Sequence, residues 1–583
     1  MAETQVAARQ SCSFGAQLTP EGVRFCLWAP AAKSVDVVLV ETTRKLHPAG
    51  DGWFEHLEPE AGAGTLYQYQ IDGEVLVPDP ASRFQPQDVD GPSEVIDPGA
   101  FAWDHGWKGR PWEEAVIYEL HVGSFTPEGT YKGVESKLQH LKDLGVTAIE
   151  LMPLADFAGR RNWGYDGVLP YAPDSAYGRP EDLKALVQAA HRAGLMVFLD
   201  VVYNHFGPKG NYLSRYAPQF FTDRHQTPWG AAINFDGEGS RWVREYFIHN
   251  ALYWLEEYRF DGLRFDAVHA MIDESPRHVL EQIAAEVQEQ FSSERQIHLV
   301  LENDANQARF LGAGKYTAQW NDDSHHAYHV LATGERDGYY IAYADNPAEH
   351  LARCLAEGFA YQGEVSPFTG ERRGEASRHL PPLAFVDFMQ NHDQIGNRGF
   401  GERLVSLTEE KKLRALTEIL LLAPSPPMLF MGEEWGCRQP FLYFCDFDGE
   451  LGEAVRNGRR AEFSRFSSFG KEIPDPLADS TFRQSVLKWE ESDNEVRRLY
   501  KLLLETRRKE LGQMRVKAGR YEMLSERVFS VLWPLEDGGV LRLIANCGDA
   551  AFDLPLPPRG RRLWGAEHGR RMNPWSVSWW IER

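Results

Sequence analysis

Cysteine is scarce, and the six present (Cys12, Cys26, Cys354, Cys437, Cys445, Cys547) show neither a CxxC pair nor metal-ligand spacing. That excludes a disulfide scaffold and predicts reduced, buried thiols. Long apolar runs are missing too. The most apolar stretch, Ile419 to Met431, is interrupted by Pro424, Pro426 and Pro427, so no membrane span is expected. The N-terminal residues MAETQVAARQSCSFG lack the basic-then-apolar pattern of a secretory signal, which predicts a soluble, cytoplasmic protein. Positive charge is in the minority: 62 Lys+Arg against 85 Asp+Glu give a net charge of -23. A nucleic acid or an anionic membrane is thereby disfavoured as a partner, and a neutral polar ligand suits the surface better. There is no internal repeat and no low-complexity tract. Asn204 and the Asp322-Asp323 pair raise the question of calcium, but no dense loop of alternating Asp and Asn appears, so neither a metal nor any other cofactor is expected.

Over the first hundred residues the pattern is β. VRFCLWAP (23–30), SVDVVLVE (34–41) and LYQYQIDGEV (66–75) are short, and in the last Tyr67, Tyr69 and Ile71 share one face before the Asp72-Gly73 turn. These predict an N-terminal β-sandwich over 1–106, of an immunoglobulin-like kind. From Ala115 the character changes to apolar runs alternating with amphipathic helical patterns. The runs are VIYELHV (116–122), AIELMPL (148–154), MVFLDVVY (196–203), GLRFDAV (262–268), HLVLE (298–302), AQW (318–320), LAFVDFM (383–389) and PMLFMG (427–432). Between them Val134, Leu138, Leu141 and Leu144 share a helix face ending at Gly145, and Leu183, Leu186, Val187 and Ala190 share another ending at Gly194. Eight alternations predict an α/β fold, a (β/α)8 TIM barrel over 107–513, with long insertions between Asn321 and Pro381. VFSVLWP (528–534) and VLRLIANC (540–547), around Asp537-Gly538-Gly539, predict a small C-terminal β-sandwich over 514–583.

In such a barrel the functional groups collect at the C-terminal strand ends. Here Asp200, Asn204 and His205 follow the third run, Arg264 and Asp266 the fourth, Glu302 the fifth and Asn391-His392-Asp393 the seventh. Converging carboxylates repel, and glycosidic cleavage gives them a reason to stay together. A retaining enzyme needs a carboxylate to attack the anomeric carbon and, roughly 5–5.5 Å away, a protonated carboxyl for the leaving oxygen. Arg264, on the same strand side as Asp266, sets a cation against it. Glu302, after the apolar HLVL and among negative groups, is expected to have a raised pKa and to act as the acid.

DVVYNH (200–205), DGLRFDAVH (261–269), LEND (301–304) and QNHDQ (390–394) resemble the four ordered motifs of the α-amylase superfamily. The resemblance implies that Asp266 is nucleophile, Glu302 acid/base and Asp393 the third carboxylate. It implies that Asp200, Asn204, His205, Arg264 and His392 shape the subsite of the attacked glucose, and that Tyr165, in Trp163-Gly164-Tyr165-Asp166, stacks on that sugar. Further runs, DPASRFQPQDVDGPS (79–93), LHVGSFTPEGTY (120–131), MPLADFAGRRNWGYDG (152–167) and FMGEEW (430–435), resemble the maltooligosyltrehalose trehalohydrolase family within it. That implies hydrolysis of the α-1,4 bond next to a terminal trehalose, in sequence with a maltooligosyltrehalose synthase.

Blander readings stand beside these. Asp266 with Arg264 can be a structural ion pair, and Glu302 an ordinary strand-end carboxylate. Asp200 is expected to serve as a charge partner. Trp163 and Tyr165 can be core aromatics, and Trp229, in TPWGAAINFD, is a weaker sugar platform. Three functions compete: the trehalose-releasing hydrolase, a glycogen-branching or other transferase on the same fold, and a non-catalytic glucan-binding protein. The intact Asp266, Glu302 and Asp393 argue against the last.

Overall fold

The apolar runs form eight short parallel strands that close into a barrel in the computed structural model, which describes residues 12–104, 106–463, 473–489, 494–512, 514–565 and 569–583. In chain order they are β1 (Ile117–Leu120), β2 (Ala148–Leu151), β3 (Met196–Val201), β4 (Gly262–Phe265), β5 (His298–Leu301), β6 (Ala318–Trp320), β7 (Phe385–Phe388) and β8 (Pro427–Phe430). Each pairs with the next, and β8 closes on β1 with Met428 opposite Ile117. Every residue of all eight is buried, which is why they read as continuous apolar runs rather than alternating ones. The expected TIM barrel is thus the observed fold. The helices around it end where expected. Gly145 and Gly194 take left-handed φ values of 109° and 83° and return their amides to the last turn, a conformation that suits glycine.

Ile117, Ala148, Phe198, Val300, Phe388 and Met428 plug the lower barrel. Two residues further along, on the same strand side, come Glu119, Glu150, Asp200 and Glu302, and Arg264 joins them two residues after Gly262 of β4, so the polar groups form the layer above that plug. The long passage after β6 supplies the helices Asp322–Thr333 and Pro347–Glu357.

The N-terminal sandwich has one sheet ordered Gln17–Thr19, Gly22–Trp28, Trp53–Glu58, His47–Gly50 and another built on Val35–Leu39 and Leu66–Ile71. Phe25 of the first meets Tyr67 of the second at 4.8 Å between ring centres. Its tryptophans face the barrel: Trp28 packs on Phe220 and Trp53 on Trp242. At the other end a five-stranded antiparallel sheet, with Val540–Asn546 at its centre, carries the two-stranded ribbon of Phe552–Asp553 and Arg571–Met572. Ile544, Leu554 and Met572 form the small core between them. Trp533 and Trp579 stack at 5.6 Å and donate their indole N–H groups to the carbonyls of Leu355 and Glu418 in two helices outside the barrel. Five of the six cysteines are buried and Cys12 is half-buried. Among the described residues no helix is long and apolar enough to cross a membrane.

Candidate active site

Arg264 organises the mouth of the barrel. Strand alternation points it inward from β4, where its guanidinium lies 4.0 Å from the centre of the Trp320 ring. One Nη1 donates to Asp200 Oδ2 at 2.6 Å and to Asp266 Oδ1 at 2.8 Å, and Nη2 lies 3.7 Å from Glu302 Oε2. Tyr165 adds its hydroxyl to Asp200 Oδ2 at 2.6 Å, and Asn204 Nδ2 donates to Asp266 Oδ2 at 3.2 Å. Asp200 is therefore 2% exposed and engaged beneath the reacting groups, the charge-partner position.

One cation faces three carboxylates, so a proton must settle among them. Burial pushes both Asp200 and Glu302 up to about 7, with Arg264 opposing and the charge of Asp266 adding to the rise. Asp200 holds the short ion pair and the tyrosine hydroxyl, whereas Glu302 is the carboxyl farthest from Arg264. Glu302 is accordingly the better placed of the two to carry the proton. Its Oε2 also accepts the backbone N–H of Ala267 at 2.6 Å, and Ala267 adopts a left-handed φ of 41° immediately after Asp266. A single strained residue thus ties the two carboxyls together.

Asp393 opens the short helix His392–Gly396 and lines the same cleft as Glu302. Asn397 donates to its Oδ1 at 2.5 Å, and Arg459 donates to Asn397 Oδ1 at 3.1 Å, which fixes the amide with its NH2 towards Asp393. His392 is buried with Nδ1 2.5 Å from Glu119 Oε1. Burial works against its charged form, but the Glu119 carboxylate outweighs it and holds the imidazole above its ordinary pKa. Tyr165 stacks on His392 at 4.9 Å between ring centres.

The remaining expected residues fall in different places. Trp163 is 4% exposed, stacks on Phe441 and donates to the Leu442 carbonyl, so it stands behind His392 rather than in the cleft. A Cβ on Gly396 would come within 2.0 Å of the Trp163 ring, which is how closely the indole rides over that backbone. His205 has both ring nitrogens occupied, by Asn204 Oδ1 at 2.5 Å and the Tyr165 carbonyl at 3.0 Å. Trp229, 48% exposed beside the turn of the hairpin formed by Phe221–Thr227 and Gly230–Ile233, stacks on His205 at 5.0 Å and 7°.

The cleft also contains groups that sequence reasoning missed. Beyond Glu302 and Asp393 its walls are Asp304, Asp322, Tyr339, Phe368 and Arg373. Arg373 pairs with buried Asp323 and with Asp304, pinning the 365–372 loop that presents Phe368. Burial, with the neighbouring carboxyls of Glu302 and Asp304, pushes Asp322 well above the usual carboxylate range. Glu119 carried the one signal available in the sequence, a charge inside an apolar strand.

A barrel whose mouth joins an arginine-held carboxylate, a protonated carboxyl and a third carboxylate is that of an α-amylase-type glycoside hydrolase. The comparisons agree. Residues 81–229 match the Alpha amylase catalytic domain family, 13–96 the Carbohydrate-binding module 48 (Isoamylase N-terminal domain) and 517–579 a Domain of unknown function (DUF3459). The Malto-oligosyltrehalose trehalohydrolase of Deinococcus radiodurans is 46% identical across 84% of this chain and 81% of its own, and that of Saccharolobus solfataricus 43% identical across 86% and 87%. A solved Salmonella typhimurium protein, 45% identical, superposes with a TM-score of 0.93 over 98% of this chain and 100% of its own. The chain belongs to the malto-oligosyltrehalose trehalohydrolase family.

The proton on Glu302 sets a pH dependence. With Glu302 as the general acid, the active form is expected to be the protonated one, and burial raises its pKa to about 7. The expected kcat/KM profile is therefore flat below that value and falls roughly tenfold per pH unit above it, as free-enzyme titrations do. An alkaline limb that stayed unchanged in Glu302→Gln would assign the limb to another group.

Proposed function

We propose that this protein hydrolyses the α-1,4-glucosidic bond next to a terminal trehalose in maltooligosyltrehalose, with retention of configuration. The observation that carries the reading is the pairing of Asp266, held by Arg264, with Glu302, whose pKa burial raises, across the shared Ala267 peptide. Asp266 attacks the anomeric carbon while Glu302 gives its proton to the departing trehalose oxygen. Glu302, now a carboxylate, then takes a proton from water as that water attacks the glycosyl-enzyme, and Asp266 leaves. Asp393 accepts hydroxyls of the distorted sugar, and Tyr165 gives it a flat face. Asn204 steadies the nucleophile. Asp200, His205 and His392 hold Arg264, Tyr165 and Trp229 in place around the attacked glucose. The cleft wall of Asp322, Tyr339, Phe368 and Arg373, beyond the acid, receives the trehalose. The substrate specificity rests on the relatives named above. We further infer a cytoplasmic enzyme of trehalose biosynthesis that acts after a maltooligosyltrehalose synthase.

The test is a product analysis. Maltotriosyltrehalose is expected to give trehalose and maltotriose, the maltotriose emerging as the α anomer. Plain maltopentaose leaves polar groups of the trehalose wall unpaired at about 1–3 kcal/mol each. Two such groups make it about 10²-fold slower in kcat/KM. Equal rates on both, or α-1,6 branches formed on amylose, would replace this reading with an α-glucan transferase or a general amylase.

A further inference from the structure

The barrel interior holds one carboxyl that the reaction above leaves unused. Glu150 sits in the middle of β2, level with Glu119 of β1 and facing inward two residues above Ala148. It is 1% exposed, and neither of its oxygens has a hydrogen-bond partner. The charged groups that face it are Glu119 of β1, Asp200 of β3 and Arg264 of β4. Each is already matched: Glu119 with His392, Asp200 and Asp266 with Arg264. A further negative charge in this layer, cut off from bulk solvent, would have no counter-ion of its own, a far higher cost than that of a neutral acid. Two carboxylates on either side make the charged form worse still.

Two other buried atoms of the same layer are also without partners, Asp200 Oδ1 and Arg264 Nε. They bear on the same point. Asp200 uses its outer oxygen for Arg264 and Tyr165, and its inner oxygen is an acceptor with nothing donating to it. A neutral Glu150 has a proton to donate. The position of Asp200 matters to the chemistry, because Arg264 Nη1 is shared between Asp200 and Asp266, and any rotation of the first shifts the guanidinium that presents the second.

We propose that Glu150 is a positioning residue of the hydrolysis, a neutral acid that hydrogen-bonds the inner oxygen of Asp200, directly or through an interior water, and thereby holds Arg264 against Asp266. The proposal rests on the hydrolase reading for its kinetic consequence but not for its chemistry. Glu150 never touches substrate. It fixes the orientation of a group that holds the nucleophile.

Three measurements on the full-length protein test it. Infrared difference spectra at pH 7, wild type minus Glu150→Gln, are expected to show the carbonyl stretch of a protonated carboxylic acid. Carboxylate bands in its place would overturn the proposal. Glu150→Leu removes the donor and is expected to lower kcat on maltotriosyltrehalose roughly 10–100-fold, the effect of losing a hydrogen bond to a charged group. KM is expected to stay within about twofold, since only the attacking geometry changes. Glu150→Gln keeps an N–H donor of the same reach and is expected to recover most of the lost rate. Full activity in Glu150→Leu, or no recovery in Glu150→Gln, would show that the side chain does not position Asp200. Should Glu150→Leu fail to fold, the infrared measurement still decides, and it uses no substrate. A wild-type enzyme that released no trehalose would count against the function and leave the infrared result standing.

Discussion

Asp266→Asn is expected to lower kcat by roughly 10⁴–10⁶, the scale seen when a nucleophile is removed and the rest of a site is left in place. The amide has nearly the volume of the carboxylate, and its single oxygen can still accept from Arg264 while its NH2 group takes the place of the oxygen that accepted from Asn204, so one hydrogen bond is lost and the mouth of the barrel keeps its outline. What it lacks is the charge and the nucleophilic oxygen. Binding of maltotriosyltrehalose is expected to persist, and thermal unfolding to stay within a few degrees of wild type, because the substitution relieves a crowd of three carboxylates around one arginine. A smaller variant, Asp266→Ala, leaves room for an added nucleophile. With azide and an activated α-glucosyl donor it is expected to form the β-glucosyl azide, the product of a single inverting displacement. Retained hydrolysis in the asparagine variant would remove Asp266 from its role.

Glu302→Gln is expected to cost on the order of 10³ in kcat on maltotriosyltrehalose, within the usual range for a general acid. The loss is expected to depend on the leaving group. α-Glucosyl fluoride departs without a proton, so its first step is expected to be nearly unaffected, and equal losses on both substrates would argue against the acid role. The same substitution has a second consequence, for stability. Burial raises Glu302 from 4.5 to about 7, so folding takes up a proton in that window. The stability associated with the protonated group is fully present below 4.5 and is lost as pH rises through about 7. Glutamine carries no such penalty. At pH 8 the variant is expected to be more stable than wild type by on the order of 2–3 kcal/mol, read as a shift in denaturant midpoint. At pH 4 the two are expected to coincide. The carboxyl proposed as the acid is one that the fold bears at a cost.

The barrel was legible in the sequence because its strands are covered on both faces. AIELMPL and MVFLDVVY read as unbroken apolar runs for that reason, and the three-residue AQW was recognised from its place in the alternation as much as from its composition. Asp266, Glu302 and Asp393 were legible because strand ends in a closed barrel must converge. Contacts between distant segments left no such trace. Nothing in NWGYDG tells that Trp163 rides over Gly396 while Tyr165, two residues on, stacks on His392. Nor does the spacing of Asn204 and His205 show that both imidazole nitrogens are occupied by neighbours. The wall of Tyr339, Phe368 and Arg373 comes from a stretch with little periodicity, held by the Asp323–Arg373 pair. Glu119 and Glu150 were visible only as charges inside apolar strands, and their meaning depends on which carboxylates the closed barrel sets beside them.

The stacked Trp533 and Trp579 bear on how the molecule is made. They cap two helices outside the barrel, Pro347–Glu357 and Glu410–Leu422, through the Leu355 and Glu418 carbonyls. A ribosome releases those helices well before either tryptophan, so during synthesis the barrel emerges with part of its outer surface bare. Its last covering arrives with Ser576–Glu582, which lies between Val540–Asn546 and Arg561–Trp564 in the sheet. The nascent chain therefore passes through an interval in which Asp266, Glu302 and Asp393 are all present and the surface behind them is unprotected, the stage at which chaperones meet aggregation-prone intermediates.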